Sequence, residues 1–577
     1  MFLAYFLPLT AVFAVGTFGA EKLRKKQFIE FNFYEWFAES WLIGSFFLII
    51  PMVLVSLFMK NHLHHVVYTY YSIALLILLY YILNASASIK PSQIVNKGTI
   101  KGIREYNSYT LLLIFLLLGY SFIALLLPQR GWDALQFYLP NSIYFFLKDD
   151  IPSTVNPFTF FPTFKPPSNT LYLVYLLYTT KGFYAHLLPV VFLVAIVCVT
   201  IIFAMDLGLS KRHAKLASIF LLTTPSIYIT MIEYSFYQEF PLTFFYSMSL
   251  VYYQKGLKTG DKSNFILSSF AVSLAVLSKL SGFTVIIMLI ILFPITAKKN
   301  EIWIKYLGLL VFGIFLARKA AYDTFIGTGL VILIISIGLG LQLREIRRKE
   351  IISYSKLKSN SKGFILAISM YLISLIIWIQ HMLKFPNTMK FLRNLYFERS
   401  NSSISWHFTT NKIINETYFE NAHAVNFFTS VFPILIASQF GLFLLLPKIL
   451  GIKKAFEKYP LVNLWLGTFY IFWLAFHSQV SIRYLSVIWI PMVIITVLGI
   501  EEIICYFKIQ QYSDLIYLML ILTNFLFYYS FIPIEFINLD FHSRLYQYHV
   551  SLFRLLLYFT VFWGIMMILK NYFFLCI

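Results

Sequence analysis

Charged side chains are scarce in this chain. Only 12% of its 577 residues are Asp, Glu, Lys or Arg, and 59% are apolar, whereas soluble domains carry roughly a quarter charged residues. That balance excludes a water-soluble globular protein and leaves an integral membrane protein. Cysteine is scarcer still: Cys198, Cys505 and Cys576 stand far apart in apolar runs, which excludes a disulfide framework and any metal-ligand spacing. No low-complexity region and no soluble domain of useful size interrupts the apolar segments. Basic residues are absent before the first of these, Phe2 to Ala20, and the cluster "EKLRKK" follows it. A cleaved signal peptide has the opposite flanks, so the expectation is an uncleaved first helix with its N-terminus outside. Acidic residues number 25 against 46 Lys and Arg, a net charge of +21. In a polytopic chain such an excess marks orientation rather than a nucleic-acid partner.

What is present is a succession of apolar runs long enough to cross a bilayer. The clearest are 41 to 58, 66 to 83, 110 to 127, 184 to 205, 325 to 342, 363 to 383, 427 to 447, 484 to 500, 514 to 532 and 551 to 569. With shorter and more polar candidates they predict an all-α polytopic bundle of about 17 transmembrane helices, give or take three. With the N-terminus outside, loops 21 to 35, 84 to 108, 207 to 213, 255 to 262, 297 to 301, 344 to 362 and 448 to 460 fall inside, and they hold more Lys and Arg than the outer loops. Three blocks follow: an accessory block and cytoplasmic linker over 1 to 105, a main module over 106 to 343 with an outer loop at 129 to 183, and a C-terminal block over 344 to 577 with an outer loop at 384 to 426.

The first outer loop is too long to be a mere turn. Ala134 to Leu147 has apolar and aromatic residues at helical spacing, with Asp133 placed as N-cap. "PSTVNPFTFFPTFKPP" cannot continue a helix, and "SNTLYLVYLLYTT" reads as a short interfacial helix with a tyrosine-rich face. Two juxtamembrane helices of this kind would wall off a groove suited to a lipid head group.

"GWDALQFYLPNSIYFF" followed by "TFFPTFKPPSNTLYLVYLLY" resembles the first outer loop of the GT-C superfamily of membrane glycosyltransferases. The resemblance is to its polyprenyl-phosphate-sugar-dependent branch, which includes protein O-mannosyltransferases and lipid A aminoarabinose transferases. Later pieces follow in a similar order: "YQEFPLTFFYSMSLVYY", "LAVLSKLSGFTVII" and "SIRYLSVIWIPMVIITVLGIEE". The resemblance covers about 106 to 300, and 425 to 505 more loosely. It implies a GT-C-like bundle in a cytoplasmic-type membrane, active on the outer face, that moves a sugar with inversion from a polyprenyl-phosphate donor to a glycan, lipid or protein acceptor. Asp133 would be the general base toward the acceptor hydroxyl. Its plainer reading is a helix cap or a partner of Arg130. Arg483 and Lys279 would hold the donor phosphate, the first bidentately and the second as a point charge. Glu239 stands where the family usually has aspartate, so it and Glu233 are assigned to positioning of acceptor or donor, as is Tyr138, which could instead pack on lipid.

No cofactor is required by these residues. Some relatives use a divalent cation held by paired acidic residues, and no Asp-x-Asp pair occurs on the outer side, so a cation stays an open alternative. Asp149 and Asp150 read as a solvated helix end. His62, His64 and His65 read as polar residues of a short outer turn without acidic company. Two other functions fit the same composition. An O-antigen polymerase or ligase would use Arg393, Arg399, His407 and His423 of the late outer loop, and a transporter of lipid-linked sugars would need polar groups in mid-helix, which are few here.

Overall fold

The computed structural model describes residues 2–25, 32–88, 108–126, 134–152, 166–182, 185–292 apart from 225, 228–229 and 232–235, 354–383, 444–476 and 486–536. Among these residues the secondary structure is helical throughout, with no strand. Among the described residues, six helices are long and apolar enough to cross a membrane. The expected 325–342 and 551–569 crossings and most of 427–447 lie outside the described residues, so the expected total is not established by this count.

Two compact units divide the chain, Met1–Phe244 with Ile509–Ile577, and Phe245–Lys508. The first opens with α1 (Phe2–Arg24), α2 (Phe33–Phe58) and α3 (Leu63–Ser88), followed by α4 (Ser108–Leu126). A π-helical turn, Ala134–Tyr138, leads into α5 (Leu139–Lys148), and α6 spans Ser168–Thr180. Then come α7 (Leu188–Asp206) and α8 (Lys211–Leu222). The unit boundary falls within α9 (Glu239–Thr259).

α1 and α2 pack with their backbones nearly touching. A Cβ on Gly16 would lie 1.8 Å from the Ser40 carbonyl oxygen, and one on Gly44 would lie 2.0 Å from that of Val12. Small residues give apolar helices this close approach when no hydrophobic driving force separates them from lipid. A fork of hydrogen bonds from Arg24 Nε and Nη2 to the buried Glu39 carboxylate, at 3.1 and 2.7 Å, closes the pair at one end.

α6 differs from its expected place on the membrane surface. It is helical over the expected segment, and Ser168 through Leu176 are all buried. Its tyrosine face is turned to the N-terminal helices. Tyr172 stacks on Trp41 at 5.9 Å, and Tyr175 donates to the Pro8 carbonyl at 2.9 Å while meeting Tyr70 edge-on. Thirteen residues reach about 20 Å, too short to cross about 30 Å of hydrocarbon, and the burial of nine consecutive residues encloses α6 in protein rather than laying it in lipid. The accessory helices cover this flank.

The second unit contains α10 (Lys262–Ser278), α11 (Val285–Leu292), α12 (Tyr354–Leu383), α13 (Leu445–Lys458), α14 (Pro460–Phe476) and α15 (Trp489–Tyr506). Gly363 lets α12 approach the Phe265 ring of α10, and Ser273 and Ser374 hydroxyls join the same two helices. α13 and α15 meet through Gly451 and Gly499, each against a backbone carbonyl of the other helix. The last described helix, α16 (Ser513–Phe536), belongs to the first unit.

Candidate functional site

α5 and α6 run side by side in the same direction. Their C-terminal ends meet where Tyr178 packs on Phe146 at 4.6 Å and donates to the Phe146 carbonyl at 3.2 Å. Their N-terminal ends meet the turn that precedes α9. Asn169 Nδ2 donates to the Phe236 carbonyl, Gln238 Nε2 donates to the Pro166 carbonyl at 2.5 Å, and the Tyr138 and Tyr237 rings lie 5.7 Å apart. His186 adds a ring contact to Phe236 at 5.2 Å. Three segments of loop and helix start are thereby fixed on one another by groups that burial leaves no other way to satisfy.

Glu239 is the first residue of α9 and is 1% exposed, as is Gln238. A carboxylate at a helix start is placed near backbone N–H groups that have no partner within the helix. One turn further along α9, the Thr243 hydroxyl is fully buried with no hydrogen-bond partner. The corner is polar and enclosed, and it is bounded by aromatic rings.

Of the residues read from the sequence, the fold brings Tyr138 and Glu239 to this one corner, Tyr138 through its ring contact with Tyr237. Asp133, Glu233 and Arg483 lie outside the described residues, as does the whole 384 to 426 loop. The described residues resume at Ala134, in the π-helical turn Ala134–Tyr138. Lys279 sits in the second unit at the end of α10, half-buried and extended. Its backbone enters a tight turn: the Gly282 N–H donates to the Lys279 carbonyl at 2.8 Å, and a Cβ on Gly282 would lie 2.0 Å from the Ala275 carbonyl oxygen.

A second polar cluster lies at the far ends of α5 and α6, and here two expectations are corrected. Asp149 ends α5 in the left-handed region, with φ 53°, and its carboxylate is only part-exposed. Oδ1 accepts from the His64 backbone N–H at 2.7 Å and the Tyr178 hydroxyl at 2.6 Å, and Oδ2 meets His64 Nδ1. The Leu63 N–H donates to the Asp149 carbonyl at 3.2 Å. Asp150 turns the other way and accepts from the Ser56 hydroxyl, which in turn accepts from the Ile151 N–H at 2.8 Å. The pair is therefore not a solvated helix end, and the histidine turn does have acidic company. Sequence reading missed this because the partners are 85 and 94 positions apart. Among the described residues no three His, Cys, Asp or Glu side chains come together to hold a metal ion.

No protein-family model and no curated protein matches this sequence. Among solved structures, one that resembles the chain is the archaeal oligosaccharyltransferase AglB from Archaeoglobus fulgidus in complex with an inhibitory peptide and a dolichol-phosphate. The TM-score is 0.39 and the identity 12%, over 74% of this chain and 55% of that one. The chain thus spans about half the length of that enzyme. A likeness of this size decides nothing about chemistry, which rests on the residues themselves.

Proposed function

We propose that this protein is a membrane glycosyltransferase that moves a sugar from a polyprenyl-phosphate donor to an acceptor on the outer face. The observation that carries the reading is the corner at Glu239. The π-helical turn Ala134–Tyr138 packs through Tyr138 on Tyr237, two residues before the buried Glu239. In the proposed reaction an acceptor hydroxyl oxygen bonds to the anomeric carbon as the bond from that carbon to the phosphate oxygen breaks. The phosphate leaves with the bonding electrons, the hydroxyl proton passes to the Asp133 carboxylate, and the anomeric configuration inverts. Glu239 and Tyr138 orient the reacting sugar, and Arg483 and Lys279 neutralise the phosphate as its charge grows. The donor class also fits the setting, since a lipid-linked phosphate is delivered by the bilayer to a loop at its edge.

The test is release of labelled sugar from a panel of polyprenyl-phosphate sugars by purified wild type, Asp133→Asn and Glu239→Gln. Loss of a general base costs between about a hundredfold and ten-thousandfold in kcat, and that range is expected for Asp133→Asn. Glu239→Gln is expected to lower release less than Asp133→Asn does, because it disturbs the orientation of the reacting sugar and leaves the base in place. Equal release by wild type and Asp133→Asn would remove the assigned base, and no release from any donor by wild type would remove the donor class.

A further inference from the structure

Two polar clusters lie at opposite ends of the same pair of helices. At one end, Tyr138 and Asn169 fix the starts of α5 and α6 to the Glu239 corner. At the other, Asp149 and Tyr178 join the ends of α5 and α6 to His64, while Asp150 reaches Ser56. Ser56 and His64 belong to neither loop helix. They flank the tight connection between α2 and α3, so one hairpin of the N-terminal helices grips the far end of the pair. α5 and α6 are about 15 and 20 Å long. Short helices of this kind act as levers, and a shift at one end is carried to the other.

We propose that Asp149 and His64 are positioning residues through which the α2–α3 hairpin sets the α5/α6 pair, and hence the Tyr138 and Glu239 corner. For its effect on transfer, this rests on the reading given above. The chemistry of the contact is defined. An ionised carboxylate only accepts, so His64 must present Nδ1 with its proton toward Oδ2, and the backbone N–H of the same residue occupies Oδ1. Both oxygens are directed at one residue of the hairpin, and the Tyr178 hydroxyl ties in the second loop helix at 2.6 Å. Exposed, solvated helix ends show no such convergence from three elements. Asp149 is also suited to the backbone it closes, because aspartate and asparagine adopt the left-handed region more readily than other residues with a side chain. The three added helices thereby gain a role: they are the fixed wall against which the loop helices are registered.

The experiment uses the full-length protein in detergent or nanodiscs and compares wild type with His64→Ala, His64→Asn, Asp149→Asn and Asp149→Gly. Glycine keeps the left-handed turn and removes the carboxylate. Asparagine at 149 keeps the turn and an acceptor, and asparagine at 64 keeps a donor near the position of Nδ1. Hydrogen exchange over 139–148 and 168–180 is read first because it needs no substrate. Exchange roughly tenfold faster along both helices is expected for His64→Ala and Asp149→Gly, with the asparagine variants near wild type. Faster exchange confined to 149–151, or none, would overturn the proposal. Sugar transfer is read second. Misplacement of about 1 Å can cost on the order of a hundredfold, so kcat is expected to fall between about tenfold and a hundredfold in the two disruptive variants with donor KM nearly constant, and to recover with asparagine. Unchanged kcat in His64→Ala would overturn the link to the corner. If wild type transfers no sugar while exchange responds as expected, the clamp stands and the donor class fails. Should Asp149→Gly not fold, His64→Ala carries the same test with the turn at Asp149 untouched.

Discussion

At the scale of the residue, the charge state of Asp149 follows from opposed effects. Burial pushes its carboxyl up, but hydrogen bonds from the Tyr178 hydroxyl and from the backbone and ring of His64 outweigh burial and hold it below the ordinary aspartate value. Burial, and then the neighbouring carboxylate, push the Tyr178 phenol up, so the phenol keeps its proton and stays a donor. For a carboxyl lowered in the folded state, the stabilisation is fully present above the unfolded value of about 3.9. It is lost as pH falls through the lower, folded value. The expected outcome is a thermal unfolding midpoint for wild type that exceeds that of Asp149→Asn at about pH 6, with the gap closing below about pH 4. Midpoints recorded across that range check it; a gap that does not change with pH would mean that the carboxylate's charge contributes nothing.

At the scale of the element, the α1–α2 pair is held by proximity that only glycine allows. The Gly44 carbonyl also accepts from the Tyr70 hydroxyl at 2.9 Å, so the same residue registers α3 against α2. Overpacking costs about 1 to 3 kcal/mol and occasionally more. Gly44→Val has no flexible neighbour to displace, because its Cβ would meet the Val12 backbone. The variant is expected to unfold at least several degrees below wild type in a detergent melt, whereas Ser45→Ala beside it, which removes a hydroxyl that bonds back to the Trp41 carbonyl at 2.5 Å and adds no bulk, should shift less. The sequence makes these helices legible and leaves their partners illegible. The span of α6 could be read from "SNTLYLVYLLYTT", including its tyrosines at three-residue spacing. What those tyrosines face could not, because an aromatic stripe looks the same against lipid head groups as against Trp41, some 130 positions away. The turn at Lys279 is the opposite case: its contacts are local, within Ala275 to Gly282, and need no distant partner.

At the scale of the whole molecule, hydropathy does not separate lipid-facing helices from interior ones. The candidate spans Ser108–Leu125 and Ser486–Tyr506 are similarly apolar, yet 39% of one and 83% of the other is buried within the protein. Polar contacts carry the information that hydropathy lacks. In the α2–α3 hairpin, Glu39 and Tyr81 contact Arg24 and Glu21 of α1, while Ser56 and His64 contact Asp150 and Asp149. From Glu39 to Ser56, and from His64 to Tyr81, the helical rise is about 25 Å, close to the hydrocarbon thickness of about 30 Å. The two polar ends thus belong to the two membrane surfaces, and the α5/α6 pair is gripped at the Ser56 end. Lys22, Arg24 and Lys25 gather at the other end, which the positive-inside rule assigns to the cytoplasm. Alternation of the chain gives Lys211, at the start of α8, to that same side. In a background with Cys505→Ser and Cys576→Ser, a cysteine replacing the exposed His62 is expected to react with an impermeant maleimide in intact cells. A cysteine replacing the exposed Lys211 should react only after permeabilisation. The reverse pattern would turn the gripped loop helices and the Glu239 corner toward the cytoplasm, and a donor presented on the outer leaflet would no longer reach them.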